Sequence, residues 1–385
     1  MNRPTTTSAR AAAVASFVRR ALPRRGMLLT SWTAAAVGCV TMAAPIEPDD
    51  FTSTAFAAPS CAHDPELGVI LVAIDGVRWQ DIYRGTDPDL VAPGSPLKPA
   101  EALAPHIHAL ARRGVALGAP GHGAPFEVSG PNFVSLPGYT EMLTGRTAPC
   151  QENDCTERPS WTLLDAFASK GRPVGAVSSW SAISYVVARD PALGLVSAGR
   201  TGGGTRDRVR ELPGLRDTFD AGEAAMPEPG HGDYRPDAHT RALALGVLRR
   251  ERPRFFFAGL GDTDEHAHAG NYPAYLDALG TADRFVGDVM ELADEWRRDG
   301  RETVIVVTTD HGRSADFRNH GRDYPESSRG WLVAGGGPVP ARGYVASSHT
   351  RRLRDLAPTL AAMTGVPVEL GSDGGAVMNE LLACP

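Results

Sequence analysis

Five short apolar runs limit what this chain can fold into more than any other feature. None of them alternates apolar with polar residues, which is typical of strands that are covered on both faces. A sheet built from such strands needs a layer of helices on each side. The runs are GVILVAI (68–74), PVGAVSS (173–179), RFFFAGL (254–260), TVIVVTT (303–309) and WLVAGG (331–336).

Helix-like segments separate these runs, with apolar residues three and four positions apart and glycine stops. They are PHIHALARRG, TLLDAFASKG, DAHTRALALGVLRRER, YLDALGTADRFVGDVMELADEWRRDG and RLRDLAPTLAAMTG. The alternation predicts an α/β fold, specifically a three-layer α/β/α sandwich with a mostly parallel central sheet. In such sheets, ligands bind beyond the carboxyl ends of the strands.

Carboxylates and imidazoles follow three of the predicted strands. Asp75 comes directly after the first run, and GDTDEHAHAG follows the run at 254–260. Asp310 and His311 follow the run at 303–309, and His320 lies shortly after them. A single Asp in such a place is usually a turn former or a helix cap. Because three strands deliver these groups to one edge of the sheet, we expect a metal site there. Asp and His without a nearby thiolate suit zinc, or manganese if carboxylates predominate.

The stretch DTDEHAH contains two candidate ligand pairs of the same spacing, Asp262 with His266 and Asp264 with His268. Residues four apart on a helix face the same way, so either pair can bind one ion. The two pairs point in different directions around the helical turn, so they are not equally good candidates for binding the ion.

A candidate nucleophile lies in NFVSLPGYTEMLTGR (132–146). Ser135 precedes Pro137 and Gly138, at the start of a predicted helix that runs to Gly145. Free amides and the helix dipole favour an alkoxide or phosphate at that end. An ordinary helix cap is the alternative interpretation of Ser135.

Residues 181–236 are rich in Gly, Pro and charged residues and show little periodicity. This pattern predicts a long insertion over the site, and a lid that shapes the substrate pocket is one interpretation of it.

The first sixty residues are predicted to be an export signal and linker, ahead of one folded domain at 61–385. Arg24 and Arg25 precede an apolar run that leads to the small-residue motif AFAAPS, and the arginine pair is similar to a twin-arginine leader. We therefore expect a periplasmic or extracellular protein. An uncleaved anchor over Met27–Pro45 or lipidation at Cys39 is the alternative, and either one would attach the chain to a membrane.

Four cysteines outside the leader agree with export, because disulfides persist outside the cytosol. Cys150 and Cys155 enclose a short loop and are expected to form a disulfide, which leaves Cys61 to pair with Cys384; four free thiols are the alternative.

The net charge of the chain is −6, and the predicted folded domain has no stripe of basic residues, so we expect no nucleic-acid partner. A small-molecule substrate is favoured.

Four motifs resemble those of a known family. VAIDGVRW, VSLPGYTEMLTG, DTDEHAHAG and TTDHG with a following NHG have the order and approximate spacing of the alkaline phosphatase superfamily. They are most similar to its nucleotide pyrophosphatase/phosphodiesterase-like branch, over nearly all of residues 66–382. The resemblance implies a metal-dependent phosphoric-ester hydrolase with two divalent ions, zinc by preference, and a phosphoserine intermediate.

The resemblance also implies roles for individual residues. One ion would be held by Asp75, Asp310 and His311 together with the oxygen of Ser135. The other would be held by Asp264, His268 and His320, and His349 is the alternative to His320 as the third ligand. The branch often has Thr where this chain has Ser135, and either hydroxyl can attack phosphorus.

Two further roles are left open by the sequence. Asn153 lies where family members place an amide that holds a phosphoryl oxygen, although a surface turn is an equal alternative. Arg78 and Arg313 follow metal-ligand candidates and could bind the extra charge of a phosphate monoester. Structural ion pairs are the favoured interpretation of both arginines.

Several other functions compete. A sulfatase shares the fold, but Tyr139 stands where its motif has Arg. A cofactor-independent phosphoglycerate mutase shares the serine and metals, but export argues against it. A non-catalytic exported binding protein is the alternative outside enzymes. The sequence leaves open the choice between monoester and diester, and it leaves open the oligomeric state.

Overall fold

The computed structural model describes residues 63–202 and 208–383 of the chain. Its strands are β1 (Gly68–Ile74), β2 (Gly114–Leu117), β3 (Phe126–Glu127), β4 (Val174–Ser178), β5 (Leu195–Ala198), β6 (Phe255–Leu260), β7 (Thr303–Thr308), β8 (Arg329–Gly330), β9 (Leu332–Gly335), β10 (Gly343–Tyr344) and β11 (Arg351–Arg352). Its α-helices are α1 (Trp79–Tyr83), α2 (Ala100–Leu103), α3 (Pro105–Arg112), α4 (Ser135–Thr144), α5 (Leu163–Ser169), α6 (Arg216–Ala224), α7 (Asp237–Glu251), α8 (Asp262–His268), α9 (Tyr272–Arg298) and α10 (Leu356–Thr364).

The central sheet has eight strands in the order β10-β2-β9-β7-β1-β6-β4-β5. All five apolar runs of the sequence are strands of this sheet, and β1, β4, β5, β6 and β7 are parallel to one another. This confirms the mostly parallel sheet. β9 is antiparallel to β7 and β2. No α-helix lies between β7 and β9, so the crossover that a parallel connection requires is missing there.

Helices cover both faces of the sheet, as the continuous apolar runs predict. Val69 and Leu71 of β1 pack into one core, which is shared with helices α4, α5 and α10. Ile70 and Val72 point into the other core, shared with α3, α7 and α9. Successive side chains of a strand alternate between the two faces of the sheet, so this central strand is buried on both faces. The three-layer sandwich is confirmed.

The segment at 181–236 contains more regular structure than its composition indicates. Residues Leu195–Ala198 form β5, an edge strand of the central sheet, and Arg216–Ala224 form helix α6. This strand therefore belongs to the main sheet, and the insertion over the site that the sequence suggests at 181–236 stays a prediction. A strand of only four residues is too short for its periodicity to stand out among Gly and Pro. The lid role of the remaining segment stays a prediction.

The predicted disulfide between Cys150 and Cys155 is present. Cys61 and Cys384 lie outside the described residues, as do the leader at 1–60 and the anchor expected over Met27–Pro45. Among the helices of the described part, none combines the length and the apolar character that crossing a membrane requires.

Helix α4 approaches the end of β7 very closely at Gly138. A Cβ added to Gly138 would lie 2.2 Å from the carbonyl oxygen of Asp310 and 2.9 Å from its carbonyl carbon. Real Cβ atoms do not come that close to backbone, so only glycine permits this packing. The contact brings the start of α4 next to the polar residues that follow β7.

We expect Gly138→Ala to lower the free energy of unfolding by about 1–3 kcal/mol, because the methyl group forces α4 away from Asp310. Gly280→Ala in α9 is the matched control, since the nearest atom to its added Cβ is 3.6 Å away on a flexible Arg284 side chain. That control should be neutral or stabilising by up to about 1 kcal/mol. Chemical denaturation measures both, and equal stability of the two variants would contradict the close packing.

Candidate metal centre and nucleophile

Three neighbouring strands, β7, β1 and β6, bring the candidate ligands to one edge of the sheet. Asp75 directly follows β1, and Asp310 and His311 follow β7. Helix α8, which begins two residues after β6, carries Asp264 and His268. The carboxyl ends of adjacent parallel strands lie side by side, so these residues meet although they are far apart in the chain.

Ser135 lies at the first position of α4 and faces this cluster. Its Oγ is 3.3 Å from Asp75 Oδ1 and 3.3 Å from His311 Nε2. The side chain is buried and lies at the amino end of the helix, where the helix dipole is positive. The predicted nucleophile is therefore held next to a carboxylate and an imidazole.

The Nε2 atom of His311 lies where three carboxylates meet. It is 3.4 Å from Asp75, 3.5 Å from Asp310 and 3.8 Å from Asp264. The His311 Nδ1 atom donates to the carbonyl of Gly312, so Nε2 of the neutral ring carries a lone pair that is directed at the carboxylates. Burial alone would lower the pKa of His311, but Asp310 and Asp75 raise it to about 9. A positive charge is strongly favoured at this point.

Asp310 shows the clearest unmet requirement for a cation. Its Oδ1 accepts a hydrogen bond from the Gly76 amide at 3.0 Å. Its Oδ2 is buried and has no hydrogen-bond partner among the described residues. Burial, followed by the charge of Asp75, raises the pKa of Asp310 to about 8. An unpaired buried carboxylate oxygen is costly, and a divalent ion would satisfy it. The donor set therefore fits a metal.

Asp264, His268 and His320 form the second group. His268 Nε2 lies 3.1 Å from Asp264 Oδ2 and 3.0 Å from His320 Nε2. The Nδ1 atom of His320 donates to the carbonyl of Phe133, so its Nε2 atom is an acceptor that faces another imidazole nitrogen. Burial and then the charge of His311 lower the pKa of both His268 and His320. Neutral imidazoles are the form that binds metal ions.

Asp264 joins the two groups. One set of potential ligand atoms within 4.8 Å of one another contains Asp264, His268 and His320, and another contains Asp75, Asp264 and His311. The resemblance placed Asp264 with the second ion only, whereas its carboxylate lies next to both. A side chain at Gly76 would collide with it, since an added Cβ would lie 2.3 Å from Asp264 Oδ1.

The competing ligand candidates lie elsewhere. The Asp262 carboxylate accepts hydrogen bonds from the Tyr234 hydroxyl at 2.7 Å and the Asp237 amide at 3.1 Å. His349 is exposed, and its carbonyl accepts from Ser347. Among the described residues, neither ligand group includes Asp262, His266 or His349. The geometry therefore favours Asp264 with His268, although ligand roles stay predictions.

Asn153 lies beside the nucleophile. Its Oδ1 accepts a hydrogen bond from the Leu136 amide at 3.0 Å, which places the disulfide loop next to the amino end of α4. Asn132 anchors this loop through hydrogen bonds. Its Nδ2 donates to the Gln151 carbonyl at 2.7 Å, and its Oδ1 accepts from the Arg322 amide at 2.9 Å. Sequence reasoning missed Asn132, because its partners are distant in the chain.

Tyr139 is a second residue that sequence reasoning missed. Its hydroxyl donates to Asp75 Oδ2 at 3.0 Å, so it holds the carboxylate that faces Ser135. The spacing contained the signal, because Tyr139 lies four residues after Ser135 and therefore on the same face of α4.

Both arginines near the site are engaged in internal contacts. Arg78 forms ion pairs with Asp81 at 2.9 Å and Asp87 at 3.1 Å. Arg313 donates to the Asp264 carboxylate and to the carbonyl of Gly76 at 3.1 Å. The Arg313 side chain is completely buried, and its ion pair with the Asp264 carboxylate holds that carboxylate in position. These contacts agree with the structural interpretation of both residues.

Comparison with solved structures identifies the fold. A mutant of the alkaline phosphatase PafA aligns with a TM-score of 0.57 and 12% identity, over 84% of this chain and 100% of that chain. The phosphonate monoester hydrolase of Agrobacterium radiobacter aligns with a TM-score of 0.51 and 14% identity, over 82% and 77%. A putative sulfatase from Bacteroides thetaiotaomicron VPI-5482 aligns with a TM-score of 0.50 and 13% identity, over 83% and 75%. Residues 237–353, which carry five of the candidate ligands, match the Metalloenzyme superfamily model.

The chain shares its fold with these three structures, and its residues 237–353 are similar to the Metalloenzyme superfamily. The matching proteins are hydrolases or transferases of phosphate and sulfate esters. The Metalloenzyme match and the two Asp/His groups support binding of divalent metal.

Curated relatives match over shorter segments. GPI ethanolamine phosphate transferase 1 of Neurospora crassa is 34% identical over 108 residues, which is 28% of this chain and 11% of the relative. The 2,3-bisphosphoglycerate-independent phosphoglycerate mutase of Thermococcus kodakarensis is 29% identical over 114 residues, 30% of this chain and 25% of the relative. The chain thus spans a quarter or less of the length of these two relatives.

We expect His268→Ala to lose one equivalent of bound divalent metal, because it removes one of three ligands of the second group. His266→Ala is the matched control, since His266 lies on the same helix outside both groups. Metal content after dialysis, measured by inductively coupled plasma mass spectrometry, separates the two variants. Metal loss in His266→Ala with retention in His268→Ala would reverse the assignment.

Proposed function

We propose that this chain is a metal-dependent phosphoric-ester hydrolase that acts through a phosphoserine at Ser135. The observation that carries the proposal is the position of Ser135 Oγ, 3.3 Å from both Asp75 and His311, at the amino end of α4. A hydroxyl in that place is oriented toward the cluster before substrate arrives. The nucleotide pyrophosphatase/phosphodiesterase-like branch is part of this proposal.

Two metal positions are proposed. Asp75, Asp310, His311 and Ser135 would hold one ion, and Asp264, His268 and His320 the other, with Asp264 close to both. Divalent ions there would stabilise negative charge on phosphoryl oxygens and lower the pKa of the serine hydroxyl. Three imidazoles and no thiolate favour zinc, with manganese as the alternative.

The residues of the chain define the steps. Ser135 Oγ forms a bond to phosphorus while the bond from phosphorus to the departing alcohol oxygen breaks, and that alcohol leaves with the serine proton. Water then cleaves the phosphoserine and restores the hydroxyl. The positive end of the α4 dipole lies at Ser135 and favours the negative charge of the phosphoryl oxygens. Asn153 Oδ1 already accepts from Leu136, which leaves its NH2 group to donate to a phosphoryl oxygen.

A diester is the favoured substrate. A monoester carries one more negative charge than a diester, and that charge needs a cationic partner. Arg78 is paired with Asp81 and Asp87, and Arg313 is paired with Asp264. Neither guanidinium is free to bind a phosphoryl oxygen, so the buried arginines nearest the ligands do not favour a dianion.

Phosphoryl transfer to an alcohol is the second candidate function. Two of the curated relatives carry names of transferases or mutases that handle phosphate groups, and they match segments of this chain. The same phosphoserine could pass its phosphoryl group to an alcohol in place of water. A sulfatase is disfavoured, because Tyr139 stands in the place of the motif arginine and holds Asp75.

We further propose that residues 1–60 direct export and that the domain from residue 61 acts outside the cytoplasm on a small-molecule ester. Sequencing the amino terminus of the protein recovered from the culture medium or periplasm tests this. A mature protein that begins at Met1 in the cytoplasm would contradict it.

We expect Ser135→Ala to lower kcat by about 10³-fold or more while metal content stays near that of the wild type, because the nucleophile is lost but most ligands remain. Ser135→Thr is the matched control and should retain measurable turnover, since it keeps a hydroxyl. Steady-state kinetics with metal analysis measures both. Turnover by Ser135→Ala close to that of the wild type would rule out the phosphoserine.

A panel of three chromogenic esters tests the substrate class. We expect kcat/KM to be highest for bis(p-nitrophenyl) phosphate, lower for p-nitrophenyl phosphate and lowest for p-nitrophenyl sulfate, with zinc and with manganese. The reason is that Arg78 and Arg313 are both paired with carboxylates and are not available for a second negative charge. A preference for the monoester would show that another cation reaches the phosphoryl group.

A further inference from the structure

His320 differs from the other candidate ligands in the part of the fold that carries it. The described segment 309–324 contains no helix or strand, and His320 lies near its carboxyl end. The other candidates lie on a helix or within three residues of the end of a strand, and they are Ser135, Asp264, His268, Asp75, Asp310 and His311. The position of His320 therefore depends on contacts with other parts of the chain.

Arg313 holds the segment on the side that precedes His320. Its Nη1 atom donates to the carbonyl of Arg318 at 2.9 Å. Asp316 closes the turn between them, since its carboxylate accepts from the amides of Arg318 and Asn319, both at 2.9 Å. These contacts fix the chain up to the residue before His320.

Asn132 and Phe133 hold the segment at His320 and after it. The Nδ1 atom of His320 donates to the carbonyl of Phe133 at 2.9 Å. The amide of Arg322 donates to Oδ1 of Asn132, also at 2.9 Å. Between these two contacts, a Cβ added to Gly321 would lie 3.3 Å from the same Oδ1 atom, so the backbone is packed against the Asn132 side chain. The chain that carries His320 thus lies against the stretch that leads into α4.

The nitrogen of the same Asn132 side chain faces a different part of the protein. Its Nδ2 atom donates to the Gln151 carbonyl at 2.7 Å and to the Glu152 carboxylate at 3.1 Å. The backbone amide of Asn132 donates to the Gln151 side chain at 3.2 Å. Both partners belong to the disulfide loop, whose next residue, Asn153, accepts from the Leu136 amide at 3.0 Å. One side chain therefore contacts two segments that flank the nucleophile.

The two ends of the Asn132 amide are not interchangeable. An asparagine side chain has an acceptor at its oxygen and donors at its nitrogen. The Arg322 N–H needs an acceptor and the Gln151 carbonyl needs a donor, so a reversed amide would place like groups against each other on both sides. Asn132 is buried, with 7% of its surface exposed, so water has little access to replace either contact.

We propose that Asn132 is a positioning residue that acts on both flanks of the nucleophile. Through Oδ1 it sets the position of His320, and thereby the affinity for the ion proposed at Asp264, His268 and His320. Through Nδ2 it sets the position of Asn153 beside the start of α4. The proposal rests on the proposed function, since the roles of His320 and Asn153 belong to it.

Two substitutions separate the two ends of this side chain. Asn132→Ala removes both of them. Asn132→Asp keeps an acceptor for the Arg322 amide and replaces the donor by a second oxygen. Ionised at about pH 8.5, that oxygen is repelled by the Gln151 carbonyl and the Glu152 carboxylate. Asn379→Ala, at an exposed asparagine, is the control and should match the wild type in every measurement below.

Hydrogen–deuterium exchange of the zinc-loaded, full-length protein, read by mass spectrometry, reports both contacts independently of activity. We expect Asn132→Ala to speed exchange by about tenfold in peptides from 318–324 and from 150–155, because each loses a hydrogen bond. Asn132→Asp should speed exchange in the loop peptide only. Wild-type exchange at 318–324 in Asn132→Ala would overturn the proposal.

Zinc affinity tests the consequence for the ion at His320. Competition with a chromophoric chelator measures the two zinc dissociation constants. We expect Asn132→Ala to raise one of them by about 10- to 100-fold and to leave the other within about threefold, as is usual when a group that orients a ligand is removed. Asn132→Asp should keep both constants. Equal weakening of both constants in both variants would show a general loss of structure and overturn the proposal, and unchanged constants in Asn132→Ala would do the same.

Kinetics at saturating zinc report the loop side. With bis(p-nitrophenyl) phosphate, we expect Asn132→Asp to lower kcat/KM by about tenfold while zinc content is retained, because Asn153 is no longer held beside the phosphoryl group. A wild-type kcat/KM in this variant would overturn the role of the Nδ2 contact.

These measurements separate the inference from the proposed function. If no ester is hydrolysed, but exchange at 318–324 and one zinc constant change as expected in Asn132→Ala, the positioning of His320 stands and the hydrolase fails. If esters are hydrolysed and Ser135→Ala is inactive, but Asn132→Ala alters neither exchange nor zinc affinity, the hydrolase stands and the positioning role fails.

Discussion

The convergence of buried carboxylates on His311 is the constraint on which the rest of the structure depends. Asp75, Asp310 and Asp264 all come within 3.8 Å of its Nε2 atom, and the Asp310 Oδ2 atom has no hydrogen-bond partner among the described residues. So many acids in a buried place are costly unless cations balance them. The imidazolium balances part of this charge, and a divalent ion would balance more. The fold tolerates this cost at the edge where its parallel strands end.

Helix α4 makes the cluster a candidate for catalysis as well as for metal binding. Gly138 lets the helix touch the backbone of Asp310, and Tyr139 holds Asp75 from the same helix. Both contacts lie within one turn of Ser135, so the hydroxyl and the carboxylate are positioned by one rigid element. The opposite flank is held by the disulfide loop, where Asn153 accepts from the amide after Ser135. Such an arrangement limits the reorganisation that a reaction would require.

Several polar groups close to the candidate site are already engaged within the protein. The arginines near the ligands are paired with Asp81, Asp87 and Asp264. Along α4, the hydroxyls of Thr140 and Thr144 donate to carbonyls of the same helix. The proposed preference for a singly charged ester rests on the arginine pairings.

The sequence by itself determined the five sheet strands, the main helices and the residues that meet at the site, because apolar runs, helix stops and strand-end acids are local patterns. Those patterns indicated Ser135, Asp75, Asp264, His268, Asp310, His311 and His320, which lie close together, and the resemblance indicated Asn153, which accepts from Leu136 beside them; their roles stay predictions. Tertiary structure alone decided the antiparallel β9, the edge strand β5, the turning of Asp262 toward Tyr234 and the anchoring role of Asn132. These features depend on distances between segments far apart in the chain, and no local pattern of residues encodes such distances.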